Sequence, residues 1–351
     1  MNLGRNARTM LVLALAVAAS AVPVFESAAR SRRPPPVEYA PPPPPPMGPI
    51  GLSDRLLADA AAYQAYLQRV TAITPAFTDG ASVAQALRTG AAYEPAAFLR
   101  GAVAYAAVAA LQDAAFVAAV RAPGADADAR RLMVNRIIAD PTYVFAFRGS
   151  DEAAGLAREA LGGAALRLYS AGKAVKQSAY DVQRQAWSKE TIVDRSGRLA
   201  AVKAASQSGL APATDQVIAL QRAAQGLASL GISAPPARPP YTPLIAHALQ
   251  LAALAALGEA GDGAYDRLTY LTDEVNTGLC LNMAKLNLYQ CLAVAGPHYE
   301  DIFCMGQHIM LDTGACLARN AGVGVPLEVA PAPLRVPPPR PVASRSARRR
   351  R

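Results

Sequence analysis

The sequence predicts an all-α fold: an alanine-rich helical bundle or irregular helical array with a disulfide-stapled C-terminal hairpin, flanked by disordered proline-rich tails. Three observations predict it. Alanine, the best helix former and a poor strand former, fills 79 of 351 positions. Candidate capping residues and N-terminal prolines stand before long apolar stretches. All four cysteines, Cys280, Cys291, Cys304 and Cys316, fall within 37 residues. With 52% hydrophobic and 17% charged residues, the chain is neither wholly disordered nor collagen-like.

The net charge of +9 is carried by the ends. Residues 1–52 hold five arginines and two acids, and residues 322–351 hold seven arginines and one acid. The middle is balanced, with 23 basic and 23 acidic residues. A nucleic-acid groove would place its excess charge on the fold, so nucleic acid is not the expected partner.

Residues 1–29 have the order of a secretory signal. Arg5 and Arg8 precede the apolar run Met10–Val22, and small residues follow, with cut sites after Ala21 or Ala29. The run is short of the ~20 residues that span a bilayer. An uncleaved signal serving as a membrane anchor is the alternative. Residues 30–52 form a proline-rich linker, expected to adopt polyproline II, with ten prolines between Pro34 and Pro49. Residues 322–351 mirror it with seven prolines and then Arg345, Arg348, Arg349, Arg350 and Arg351. Both ends read as disordered. The arginines could also touch an anionic envelope surface.

A helical core is expected over residues 53–233. Ser53 caps a helix running to about Ile73, with Asp54 in its first turn. A short helix follows at Ser82–Arg88. Pro95 opens the very apolar stretch Ala96–Val120, which contains Arg100, Gln112 and Asp113 and reads as a central buried helix rather than a membrane span. Asp126–Ala139 is helical and stops before Pro141. Tyr143, Phe145 and Phe147 alternate, which suits a short extended piece or aromatic packing at the helix start near Ser150 and Asp151.

Residues 151–206 read as one or two long helices. Leu161, Ala165, Leu168, Gly172, Val175, Ala179, Val182 and Ala186 make a heptad seam of alternating large and small residues, which lets a second alanine-rich helix approach closely. Lys173, Lys176, Gln177, Arg184 and Gln185 face water. Gly209–Pro212 breaks the chain, and Thr214 or Asp215 caps a helix to about Leu230. A proline-rich connection at 234–243 is a possible subdomain boundary. Beyond it, at 244–321, lies a helical subdomain: Thr242 caps a helix ended by Gly258–Gly263, and the cysteine block follows.

An even number of cysteines in an exported chain reads as disulfides. Cys280 and Cys291 on one helix stand about 16 Å apart at ~1.5 Å per residue, too far for a bridge, which needs Cα atoms within ~7 Å. Gly296-Pro297 is a natural turn between antiparallel helices. Cys291 and Cys304 lie six and seven residues from Pro297, and Cys280 and Cys316 seventeen and nineteen. The nested pairs Cys291–Cys304 and Cys280–Cys316 follow. This block of about 40 residues resembles the twin-cysteine helical hairpin, although its ten and eleven intervening residues depart from nine and nine. The resemblance implies architecture, not activity. A twelve-residue step lands about 120° off the starting face of an ideal helix. Gly314 is therefore expected to end the second helix, leaving Cys316 on a turn.

Asp301, Cys304, His308 and Asp312 follow three- and four-residue steps. With His298 and Glu300 they make the one place that resembles a metal or acid–base site. A bridged Cys304 cannot ligate zinc, and a polar helix face is the preferred reading. His247 reads as a packed residue in an apolar helix. Ser170-Ala171-Gly172-Lys173 matches S-x-x-K, but no K-T-G accompanies it. Phosphate-loop, zinc-protease and hydrolase signatures are absent from the sequence.

The expectation is an exported, non-enzymatic structural or interaction protein of the bacterial periplasm or cell envelope, without a cofactor. Its partner would be an unknown protein or an anionic envelope component. The alternatives are an enzyme acting on envelope polymers or using a metal near His298–Asp312, and a membrane-tethered scaffold.

Overall fold

The computed structural model describes residues 46–208 and 211–326. The signal segment, most of the proline-rich linker and the arginine tail, Arg345 and Arg348 to Arg351 included, lie outside the described residues. Among the described residues every regular element is helical, and two isolated bridges, Leu52 with Ala260 and Thr191 with Pro297, are the only extended pairings.

Helix α1 spans Asp54–Thr71, and the Ser53 side chain accepts from the Leu56 N–H. Helix α2 spans Gly80–Ala91, capped by Asp79. Helix α3 (Pro95–Ala110) starts on Pro95, and the carboxylate of Glu94 accepts from the N–H groups of Ala96 and Ala97. Residues 102–104 and 106–110 of α3 have no exposed surface, as expected of a central helix.

The apolar stretch expected to continue to Val120 is broken. The Asp113 carboxylate caps a new helix, α4 (Ala114–Gly124), by accepting from the Phe116 N–H at 2.7 Å. The two helices meet at 88°. Gln112 holds the corner, donating to Ala223 O and accepting from Leu230 N. Among the described residues no single helix is long and apolar enough to cross a membrane.

Helix α5 (Ala127–Ala139) is capped by Asp126. A 3₁₀ turn at Pro141–Ala146 replaces the extended piece, and its rings pack edge to face, Tyr143 on Phe147 and Phe145 on Tyr241. The expected 151–206 segment is two helices, α6 (Ser150–Val182) and α7 (Arg195–Ser208). Helix α8 (Thr214–Ala224) stops short of Leu230 because the chain turns at Gly226, whose φ is 72°.

Helix α9 (Pro243–Ala256) is capped by Thr242 and almost wholly buried. It packs on α3, α4 and α6 in the same core as the earlier helices. After a short helix, α10 (Tyr265–Leu268), come α11 (Val275–Val294), capped by Glu274, and α12 (His298–Cys304). A π-helical segment at Met305–Leu311 leads without interruption into α13 (Asp312–Asn320). Gly314 therefore does not end the second helix; Cys316 sits inside it.

The heptad residues Leu161 to Val182 are buried, while Ala186 is exposed, because α6 ends at Val182. One partner of the seam is the alanine-rich α3. The other is α12–α13, and there the approach is closest. A Cβ on Gly306 would lie 2.5 Å from the Lys176 nitrogen, and one on Gly314 would lie 2.9 Å from Ala165 O. Glycine on one helix faces backbone on the other, so no larger side chain fits between them.

Candidate functional site

The cysteine hairpin is where the chain concentrates its unusual chemistry. The bridges are Cys280–Cys316 and Cys291–Cys304, each with Cα atoms 5.7 Å apart, within the ordinary range. They nest around the Gly296-Pro297 turn and staple α11 to α12–α13. Eleven residues on an α-helix end only about 20° from the starting face, whereas twelve end about 120° away. The π segment between Cys304 and Cys316 resolves this mismatch. A π turn takes up one extra residue, so the twelfth residue arrives where an eleventh would on an α-helix. Both cysteines of each helix then face the other helix.

The same insertion spoils the face on which Asp301, Cys304, His308 and Asp312 were expected to converge. The structure distributes the candidates over separate partners. The His298 ring lies 6.5 Å from that of Trp187 and covers Gly80, where a Cβ would meet its ring at 2.4 Å. Glu300 accepts from the Gly296 N–H at 2.7 Å and closes the turn. Asp301 pairs with Arg198 of α7 at 2.6 Å, both side chains buried. His308 and Asp312 stay together, with Nδ1 2.7 Å from Oδ2, and Gln307 donates to the other carboxylate oxygen. Among the described residues no group of three histidine, cysteine or acidic side chains could hold a metal ion. His247 is half-buried, and burial holds its imidazole below the usual range.

Two buried ions lock α7 onto the hairpin. Arg198 donates to Leu292 O near the end of α11, and to Asp301. Burial raises Asp301 to about 6, against the opposing pull of Arg198. The second ion is Lys285. Its Nζ donates to Ala91 O at 2.6 Å and Ser206 Oγ at 3.1 Å, and lies 3.6 Å from the centroid of the Tyr93 ring. Burial lowers its amine to about 7, with the charge of Glu94 opposing. Tyr93 in turn shares a hydrogen bond of 2.8 Å with Thr313 of α13. One ammonium thus ties the end of α2 and the side of α7 to α11, with a cation–π contact to Tyr93.

Sequence reasoning missed Lys285. The signal was present: it is the single charge in the twenty residues of α11, placed among Leu281, Ala284, Leu288 and Leu292, which face the core.

The opposite face of α11 carries an exposed apolar row, interrupted by Gln290 and edged by Asn276 and Asn282. Val275, Leu279, Met283, Leu286 and Val294 recur at three-, four- and eight-residue steps and are 46% to 77% exposed. The stripe runs for about 29 Å at ~1.5 Å per residue. A row of large exposed apolar residues along one helix face marks an interaction site more often than scattered single residues do.

Comparison with protein-family models, with curated proteins and with solved structures found no match to this chain. The two bridges fit an oxidising compartment.

Proposed function

We propose that this chain is an exported, non-catalytic structural protein of the bacterial periplasm or cell envelope that acts by protein–protein contact. The signal-like N-terminus and the two bridges support export. The observation that carries the reading is the exposed apolar stripe of α11. Its occupant is a second copy of the same chain. The only charge on α11, Lys285, is turned inward, so the stripe offers no charge for a differently charged partner to match. An uncharged strip matches itself about a two-fold axis near Met283 and Leu286, laying Val275 and Leu279 against the partner's far end. The bridges hold the helix ready, which lowers the ordering cost of association.

Sedimentation equilibrium tests the pairing. The full chain is expected to be a dimer, and the double variant Leu279→Glu/Met283→Glu a monomer with unchanged helical circular dichroism. A wild-type chain that stays monomeric at its highest soluble concentration, or a double variant that still dimerises, overturns the reading.

A further inference from the structure

Helix α11 hangs from a fixed support. Helices α12–α13 are locked onto α6, where a Cβ on Gly306 would lie 2.5 Å from the Lys176 nitrogen. Their cysteines are buried, Cys304 at 1% and Cys316 at 3% exposure. The cysteines of α11, Cys280 and Cys291, are half-buried. They stand eleven residues apart, which on an α-helix is about 16 Å along the axis and about 20° around it. Two bridges from one face, so far apart, fix the rotation of α11 about its own axis as well as its position.

That rotation is not the one solvation favours. The inward face carries Leu281, Leu288, Leu292 and the only charge of the helix, Lys285. The outward face carries Val275, Leu279, Met283 and Leu286. Apolar burial is non-directional, and with large apolar residues on both faces it hardly chooses between them. The charge does choose, and it prefers water: burial lowers the Lys285 amine to about 7. Its compensating partners, Ala91 O and Ser206 Oγ, belong to α2 and α7, and it meets them only once α11 has this rotation. The amides of Asn276, Asn282 and Gln290 on the outer face act the other way, but an uncharged amide loses far less on burial than an ammonium does.

We propose that the two bridges are a redox switch that turns the apolar stripe of α11 outward, so that the chain pairs only after oxidation. This rests on the proposed pairing through that stripe. In the thiol form α11 turns Lys285 toward water and the stripe toward α12–α13, and the pairing surface is withheld. In the bridged form the stripe is held out. Each closure is a thiol–disulfide exchange with an acceptor disulfide. A cysteine thiolate of the hairpin attacks the acceptor, the second cysteine displaces the mixed disulfide, and the acceptor leaves as two thiols carrying the two electrons and the two protons. One S–S bond forms in the chain and one breaks in the acceptor. An exported chain keeps its bridges only outside the reducing cytoplasm, which confines assembly to the compartment of use.

Sedimentation and chemical footprinting test this on the full chain oxidised with glutathione disulfide and on the variant Cys280→Ser/Cys291→Ser/Cys304→Ser/Cys316→Ser. The oxidised chain is expected to dimerise with Lys285 shielded from acetic anhydride, and at dilution its Met283 is open to hydrogen peroxide. In the serine variant the pattern inverts: dimerisation weakens at least about tenfold, Lys285 is acetylated and Met283 is shielded. A serine variant that pairs as tightly as the oxidised chain, with Lys285 still shielded, overturns the switch and leaves the pairing intact. Lys285 and Met283 both reactive in the serine variant would mean an unfolded hairpin rather than a turned helix, and overturns the switch as well. An oxidised chain that stays monomeric overturns the pairing, and the switch of assembly falls with it; the two footprints then decide the rotation of α11 on their own.

Discussion

Helices α3 and α11 both carry large apolar residues on more than one face, yet among the described residues α3 is covered nearly all round and α11 on one side only. Helix α3 has α1, α6 and α9 against it, and its alanines let those helices approach closely. Helix α11 buries Leu281, Leu288 and Leu292, and shows Val275, Leu279, Met283 and Leu286 to solvent. Apolar surface left in water is a standing cost. In α3 the chain covers it with its own helices. In α11 the described residues leave it open, and they brace the helix instead with two bridges, Lys285 and the carbonyl contacts of Arg198. A helix held so firmly, and left uncovered by the described residues, is the feature on which the proposed pairing with a second copy rests.

The largest expected effect comes from removing the braces. Reduction, or replacement of all four cysteines by serine, should cost about 2–4 kcal/mol per bridge. Hydrogen exchange should then quicken in α11 and in residues 298–320 before α3. If α3 loosens first, the hairpin is not the part that depends on its bridges.

Lys285 sharpens the contrast through pH. Its amine is held at about 7, against an ordinary 10.5, so the unfolded chain binds that proton more tightly than the folded one. Below about pH 7 both states are protonated and the cost of the buried charge is fully present. As pH rises from 7 toward 10.5 the folded state sheds the proton first, and stability rises. Urea midpoints taken at pH 6, 7.5 and 9 should climb, by up to a few kcal/mol in free energy. Lys285→Met should flatten the climb, and a variant that keeps the full slope would assign the effect to another group.

A smaller difference separates the two apolar faces themselves. Ala107→Leu, in the fully buried part of α3, should overpack the core at a cost of about 1–3 kcal/mol. Leu279→Asn, on the bare face of α11, should change monomer stability by no more than about 0.5 kcal/mol, measured at dilution. Equal losses would mean that α11 is covered after all.

Much of this was legible in the sequence because it depends on neighbours along the chain. Ser53, Asp126 and Thr242 cap the helices that follow them, and Pro95 starts α3. The seam of α6 could be read from its seven-residue spacing. The nested cysteines could be read from their near-symmetric distances to Gly296-Pro297. The corner at Asp113 could have been read too: aspartate is a strong cap, and the apolar run on both sides concealed it. The candidate acid–base face could not, because a spacing argument assumes an unbroken α-helix and the chain inserts a π turn between Cys304 and Asp312.

By itself, then, the sequence determined the all-helical class, most helix starts, the buried stripe of α6 and the presence of a cysteine hairpin, since capping, periodicity and spacing act over a few residues. Only the tertiary structure decided three other things. It placed the π turn where Gly306 meets the backbone of α6. It chose Ala91, Ser206 and Tyr93 as the partners of Lys285, and among the described residues it left the outer face of α11 without cover. These are contacts between residues far apart in the chain, and no local preference encodes which surfaces meet once the helices pack.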